Sequence, residues 1–199
     1  MGSKALEKIW AGEFGNKYTK RNLQESEDRK LWWDKFLDHW KPDNVLEAGC
    51  NAGLNLRYVA EKVPCWGVDI NKCSLRRAKK NCPKASVKFG SIYELPFTDG
   101  QFSLVFTSGV LIHQHPKQVK SAMKEIVRCS NDKVLCMEYC SPQFEEKAYR
   151  GEKGMLWTGP YMELYEDLRL EPIDSGYIHT EGWDDVTWGL FECPNLNQE

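Results

Sequence analysis

The sequence lacks the features that would place it in several large classes of protein. Its 199 residues carry a formal net charge of −2, so no strong basic field is present to hold nucleic acid or an anionic membrane. No apolar run approaches the length of a transmembrane helix. No repeat or low-complexity tract divides the chain. We therefore expect a globular protein with no nucleic-acid partner and no membrane partner.

Cysteine is plentiful, but its spacing is not that of a disulfide framework or a metal site. The eight cysteines include no C-x-x-C pair and no Cys/His metal spacing, and we find no secretory signal. Most of them fall inside apolar runs, where a free cysteine behaves as a small hydrophobic residue. We expect reduced thiols, a cytoplasmic location and no bound metal.

The stretch from residue 44 to 55 predicts a strand that turns sharply into a helix. Glu47, Gly49, Asn51 and Gly53 alternate along this turn. Glycines there let a ligand lie against bare backbone, and the helix directs its unpaired N–H groups at that ligand. About twenty residues further on, Asp69 ends a second apolar run, at the distance where an acidic residue accepts ribose hydroxyls. These residues predict a site for a ribose-containing ligand.

The same residues resemble motif I and the acidic loop of class I S-adenosylmethionine-dependent methyltransferases. The pattern departs from the dinucleotide fingerprint, because an acidic residue precedes the first glycine and the third glycine is missing. Glu47 would repel a pyrophosphate and attract the cationic methionine end of S-adenosyl-L-methionine. The resemblance implies this cofactor, with S-adenosyl-L-homocysteine as its product. The implied cofactor-binding residues are Tyr18, Arg21, Glu47, Gly49, Cys50, Asn51, Gly53, Asn55, Leu56, Asp69, Ile70, Asn71, Gly90, Ser91, Ile92, Ser108, Gly109 and Val110.

For two parts of this set, the residues themselves suggest a contact with the cofactor. Tyr18 and Arg21 lie three residues apart on one predicted helix face, where an aromatic ring and a guanidinium would cover the methionine end and hold its carboxylate. A solvated face with an aromatic anchor explains them equally well. Ser91 stands where the resembled family usually has an acidic residue that meets the adenine amino group. Its hydroxyl could accept the same bond, and a plain turn is the alternative.

Alternating strands and helices predict an α/β fold. Strands are expected at residues 44–48, 65–69, 86–89, 102–107 and 133–139, and helices at 52–63, 72–81 and 116–129. The tail predicts a helix at 161–170 and strands at 173–178 and 186–193. We expect a seven-stranded, mostly parallel Rossmann-like sheet with an antiparallel C-terminal hairpin and N-terminal helices. We expect residues 1–199 to form one domain, with an N-terminal helical cap (1–42), a cofactor-binding core (43–140) and an acceptor-side, sheet-closing segment (141–199).

The loop after the fourth strand would face the acceptor. His113 is the best-placed general base there, although a histidine that only holds structure is the more common case. The sequence has no [DNS]-P-P-[YFW] motif, and no Asp follows Phe106, so neither a planar base amine in DNA nor a metal-dependent mechanism is favoured. In the last third of the chain, Arg150 with flanking aromatics suits an anionic, hydroxylated ligand, and packing is the alternative for the aromatics. The candidate substrate residues are Tyr149, Arg150, Trp157, His179, Asp184 and Asp185.

A narrower resemblance runs through residues 13–22, 106–113, 149–151 and 184–188. These segments are similar to the pseudaminic acid biosynthesis-associated methylases. The resemblance implies metal-free methyl transfer to a small hydroxylated acceptor, such as a nonulosonate-type sugar or its precursor. Two alternatives stay open: a non-catalytic binding module that keeps the fold, or a methyltransferase that acts on RNA or protein, for which the sequence has no basic stripe.

Overall fold

A computed structural model of the protein describes residues 2–23, 25–180 and 183–194. Its main sheet has seven strands in the order β3-β2-β1-β4-β5-β9-β8. The first five are parallel to one another, whereas β9 runs antiparallel to β5 and β8. The expected fold is confirmed. The strands are β1 (Val45–Ala48), β2 (Cys65–Asp69), β3 (Ser86–Phe89), β4 (Phe102–Ser108), β5 (Ser130–Glu138), β8 (Glu171–Thr180) and β9 (Trp183–Glu192).

Seven α-helices accompany the strands in the part of the chain that the structure describes. The third follows sequence rules closely, since the Ser26 side chain accepts a hydrogen bond from the Arg29 amide and acidic residues occupy its first turn. It ends where Lys41 takes a left-handed conformation. The helices are α1 (Ser3–Ala11), α2 (Glu13–Arg21), α3 (Glu27–Trp40), α4 (Leu56–Val59), α5 (Lys72–Asn81), α6 (Val119–Cys129) and α7 (Tyr161–Glu166), and a 3-10 turn spans Leu111–His113.

The prediction of a long helix at 52–63 is wrong, because α4 is only a single turn. The backbone is left-handed at Gly49 (φ 85°), Asn51 (φ 45°) and Gly53 (φ 75°), so the chain runs as an open loop before α4 begins. Asn and Gly adopt this conformation at low cost. The backbone N–H and C=O groups of this loop therefore lie beside the end of the sheet and are not part of a regular helix.

A second, two-stranded sheet was not predicted. It consists of β6 (Glu145–Tyr149) and β7 (Glu152–Thr158), which pair antiparallel. Arg150 (φ 55°) and Gly151 (φ 81°) join them with left-handed backbone at both turn positions, as a two-residue hairpin turn of type I′ requires. The pair Arg150-Gly151 is the sequence signal for this turn, although it is interpreted above only as part of a candidate substrate site.

Two apolar clusters pack on the faces of the sheet, and a third joins two peripheral elements. Side chains of α6 and α7 pack in one cluster, whereas side chains of α3, α4 and α5 pack in the other. In the third, Leu6 of α1 packs with Met155 and Trp157 of β7. The N-terminal helices are therefore held against the β6–β7 hairpin as well as against the core.

The eight cysteines are free thiols, as expected. Over the described residues, no helix is both long and apolar enough to cross a bilayer.

Candidate cofactor and acceptor site

Glu47 is buried at the end of β1. Its Oε1 accepts a hydrogen bond of 2.7 Å from Asn55 Nδ2, whereas its Oε2 has no partner among the described residues. Burial raises the pKa of this carboxyl to about 8, against the opposing effects of Asn55 and Arg29. A buried carboxylate oxygen without a donor is costly unless something satisfies it. Glu47 also lines a cavity, so a cationic ligand group there would supply the missing donor.

The loop that follows β1 brings bare backbone to the cavity wall. At Gly49, a Cβ atom would lie 2.6 Å from a methyl carbon of Val110, so no larger residue fits without displacing the loop after β4. Asn51, in its left-handed conformation, donates its backbone N–H to Asp69 at 2.8 Å. The ends of β1, β2 and β4 are thereby held close to one another.

Asp69 ends β2 and holds two backbone segments. Its Oδ2 accepts from the Asn51 amide and its Oδ1 from the Asn71 amide, at 2.8 Å and 2.7 Å. Burial raises the pKa of this carboxyl to about 6, although both hydrogen bonds act to lower it. Asn71 in turn caps α5, because its side-chain oxygen accepts from the amides of Cys73 and Ser74. Each Asp69 oxygen keeps a lone pair with which to accept from a ligand hydroxyl.

On the other side of the cavity, the buried His113 ring lies among aromatic rings. Its Nδ1 is 2.6 Å from the carbonyl oxygen of Met155. Because a carbonyl only accepts, Nδ1 carries the proton and Nε2 carries the lone pair. Burial lowers the pKa of the ring to about 4, so it is neutral at pH 7. The centroid of the Trp10 ring is 4.4 Å away and that of Tyr149 is 5.1 Å away.

Glu138 fixes the turn that carries His113, a role that sequence reasoning missed. Fully buried at the end of β5, its carboxylate accepts hydrogen bonds from the amides of Val110, Leu111 and Ile112. Burial raises its pKa to about 7. The signal available in the sequence was a charged residue that ends an apolar strand.

The N-terminal helices cover the site and bond directly to its loops. The Thr19 hydroxyl lies 2.8 Å from Asn51 Oδ1 and 2.6 Å from Ser74 Oγ. Asn71 Nδ2 donates to the Trp10 carbonyl at 2.9 Å. At Gly15, a Cβ atom would come within 1.8 Å of the Trp10 carbonyl oxygen, so α1 and α2 meet at a point that only glycine allows. Trp10 and Thr19 were not among the predicted site residues.

The cavity has a volume of about 290 Å³ and brings together residues that the sequence had placed in one site. The expected residues that line it are Tyr18, Glu47, Gly49, Cys50, Asn51, Asn55, Asp69, Ile70, Asn71, Gly90, Ile92, Ser108, Gly109, Val110, His113, Tyr149 and Arg150. Gly53 and Leu56 lie behind the wall, in and after the loop that follows β1. They do not line the cavity, but they support the residues that do.

The other expected residues lie elsewhere. Arg21 is exposed at the end of α2, and the guanidinium side chain of the buried Arg29 lines the cavity in its place. Ser91 is turned to the side chain of Glu7 and is not part of the wall. Trp157 packs in the third apolar cluster, defined by Leu6, Met155 and Trp157.

The pair at the β8–β9 end does not line the cavity, although the neighbouring Val186 does. His179 Nδ1 lies 2.7 Å from Asp185 Oδ1, and both side chains are exposed. The side chain of Asp184 lies outside the described residues. The described residues hold no group of three or more His, Cys, Asp or Glu side chains placed to share a metal ion.

Comparison with known proteins agrees with this geometry. Residues 45–133 match the sequence profile of a family described as a methyltransferase domain. A probable chloroplastic tocopherol O-methyltransferase from Oryza sativa subsp. japonica is 27% identical over 161 residues, which cover 67% of this chain and 43% of that protein. The chain spans between 40% and 59% of the lengths of three such curated relatives.

Two solved structures share the fold. Magnesium protoporphyrin IX methyltransferase of Synechocystis PCC 6803, with bound S-adenosylhomocysteine, superposes with a TM-score of 0.74 at 12% identity, covering 96% of this chain and 100% of that one. The Burkholderia thailandensis 1,6-didemethyltoxoflavin-N1-methyltransferase, with its acceptor and S-adenosylhomocysteine bound, gives 0.66 at 18% identity, over 85% and 78%. Both likenesses concern the fold of this chain.

Proposed function

We propose that this protein transfers the methyl group of S-adenosylmethionine to a small hydroxylated acceptor, such as a nonulosonate-type sugar or its precursor. The observation that carries the proposal is one cavity lined both by Glu47, with its unpartnered carboxylate oxygen, and by the neutral ring of His113. The methyltransferase-domain match and the two structural neighbours support the same reaction class. The names of the relatives give different acceptors, so the proposed acceptor rests on the residues that line the cavity.

The residues around the loop after β1 fit the cofactor. Glu47 Oε2 would accept from the methionine ammonium, and the buried Arg29 would face its carboxylate. Asp69 would accept from the ribose hydroxyls, while the backbone at Gly49 allows close approach. When bound, S-adenosylmethionine supplies a methyl group already activated by a sulfonium.

The acceptor side of the cavity supports a hydroxyl group as the methylated group. His113 presents an unprotonated Nε2 because its Nδ1 proton is held by the Met155 carbonyl. That nitrogen would accept a hydrogen bond from the acceptor hydroxyl and take up its proton during transfer. Trp10 and Tyr149 would pack against the acceptor and exclude water. Arg150, at the hairpin turn beside the cavity, would pair with a carboxylate, as in a sugar acid.

The test uses S-adenosylmethionine with a deuterated methyl group and high-resolution mass spectrometry. The protein is incubated separately with a panel of sugars and nucleotide sugars, with a metabolite extract and with total RNA. We expect label in a hydroxylated metabolite. Replacement of His113 by Gln should lower that labelling about a hundredfold, while His39→Gln, on the exposed face of α3, should leave it unchanged. Label in RNA alone would overturn the proposed acceptor, and bound cofactor without any labelled product would favour a binding module.

A further inference from the structure

Glu7 of α1 reaches the cavity beside the loop that follows β3. Its Oε1 accepts a hydrogen bond from the Ser91 hydroxyl. Ser91 Oγ also accepts from the amide of Tyr93, which fixes the hydroxyl in this loop. Glu7 itself lines the cavity, whereas Ser91 does not. The loop therefore holds a carboxylate that comes from the N-terminal helices at the cavity wall.

The strand order says which part of the ligand this carboxylate would meet. Glu47 lies at the end of β1, Asp69 at the end of β2, and Gly90 and Ser91 directly after β3. These three strands are neighbours in the order β3-β2-β1. A nucleoside cofactor with its amino-acid end at Glu47 and its ribose at Asp69 would continue along this edge, so that its base reaches the loop after β3. Gly90 and Ile92, which also line the cavity, flank that position.

Among the described residues that line the cavity at this position, few other side chains could accept a hydrogen bond from the base. Gly90 has no side chain, and Ile70 and Ile92 are apolar, which suits the faces of a purine but not its exocyclic amino group. The Glu7 carboxylate has one oxygen engaged by Ser91, and no described residue bonds to the other, Oε2. A carboxylate accepts hydrogen bonds and cannot donate one, so it selects a base that presents an amino group.

We propose that Glu7 is a specificity-determining residue for the cofactor base, with Oε2 accepting a hydrogen bond from the adenine 6-amino group. Ser91 is then a positioning residue that orients Glu7. The inference rests on the proposed cofactor. It also means that base recognition requires α1 to stay packed beside the cavity, because the base-binding carboxylate is carried by that helix.

The test compares two ligands that differ at a single group. S-adenosylhomocysteine carries the 6-amino donor, whereas S-inosylhomocysteine carries a carbonyl oxygen there, which a carboxylate repels. Calorimetric affinities of both ligands are measured for the wild-type protein, for Glu7→Gln and for Glu7→Ala. Glu13→Gln is the matched control, because Glu13 lies in the same pair of helices, forms a solvent-exposed ion pair with Lys17 and does not line the cavity.

We expect wild-type protein and Glu13→Gln to prefer the adenine ligand by about tenfold to a hundredfold, the worth of a hydrogen bond to a charged group. Both Glu7 variants should lose most of this preference, and Glu7→Gln should bind the inosine ligand more tightly than wild type, since its amide can donate to the carbonyl. An unchanged preference in folded Glu7 variants would overturn the inference while leaving the proposed function intact. Failure of wild-type protein to bind either ligand would instead overturn the proposed function.

Discussion

At the residue scale, the carboxyls of Glu47 and Asp69 make different contacts in the same cavity. Glu47 has an oxygen without a hydrogen-bond donor among the described residues, which a cationic ligand group would supply. Asp69 already accepts hydrogen bonds from the amides of Asn51 and Asn71, so under the proposed function it would shape the loop as well as bind the ribose. Because of this difference, we expect loss of Asp69 to affect both the cofactor and the local fold.

Replacement of Asp69 by Ala should weaken binding of S-adenosylhomocysteine by about 1–3 kcal/mol, because a charged pair of hydrogen-bond acceptors is removed. The amides of Asn51 and Asn71 would lose their partner at the same time, so thermal stability should also fall. Isothermal titration calorimetry and thermal denaturation measure the two effects. Asp43→Ala, an exposed change before β1, is the control and should alter neither. Unchanged affinity in Asp69→Ala would remove this residue from the site.

At the element scale, the helices α1 and α2 cover the cavity and are hydrogen-bonded to residues after β1 and β2. Gly15 lets α2 approach the Trp10 carbonyl, and Thr19 contacts Asn51 and Ser74. The helices are also tied to the β6–β7 hairpin through Leu6 and its cluster. The cavity is therefore shaped by two elements that lie outside the parallel core.

Gly15→Ala should displace this cover, because the added methyl group would overlap the Trp10 carbonyl oxygen. Overpacking of this kind costs about 1–3 kcal/mol, and a cost of that size in the bound state corresponds to a loss of cofactor affinity of about fivefold to about 150-fold. Hydrogen exchange should show faster exchange in α1 and α2 with little change in β1, β2 and β4. Gly2→Ala is the matched control, since no atom lies within 4 Å of the position of its Cβ. Normal affinity and normal protection in Gly15→Ala would show that the cover is not needed for binding.

The sequence predicted the parallel core well and the cover poorly, for a physical reason. Apolar runs, glycines and a spaced carboxylate are local signals, and they were enough to predict the sheet and the residues from Glu47 to Asp69 that now line one cavity. Arg29 and Glu7 contact residues that are far away in the sequence, and no local pattern marks them. Glu138 had one local signal, a charged residue at the end of an apolar strand, but its partners are also distant in the sequence. Arg21 was chosen for its spacing from Tyr18, whereas the structure buries Arg29 instead. The narrower resemblance to pseudaminic acid-associated methylases stays a prediction.

At the scale of the whole molecule, burial of acidic groups makes stability depend on pH. Glu47, Asp69 and Glu138 have pKa values raised to about 8, 6 and 7, above their ordinary values of 4.5, 3.8 and 4.5. At pH values between the ordinary pKa and the raised pKa of each carboxyl, the folded protein keeps a proton that the unfolded chain has released. The free energy of unfolding of the ligand-free protein should therefore fall as pH rises from about 5 to 8.

Urea denaturation at a series of pH values measures this slope. Glu47→Gln removes one of the three titrating groups and should flatten the dependence between pH 6 and 8. Replacement of the exposed Glu163 by Gln should leave the slope as it is. A stability that rises steadily with pH across this range would contradict the raised pKa values of these three carboxyls in the folded, ligand-free protein.

The most direct test of the central claim is calorimetric titration of the protein with S-adenosylhomocysteine at pH 7, in two buffers that differ in ionisation enthalpy. With its pKa at about 8, Glu47 is mostly protonated before binding, and pairing with the ligand ammonium should release that proton. We predict binding, with an observed enthalpy that depends on the buffer for wild-type protein and markedly less for Glu47→Gln. Absence of binding would contradict the methyltransferase account, and binding with the same buffer dependence in both proteins would place the methionine end away from Glu47.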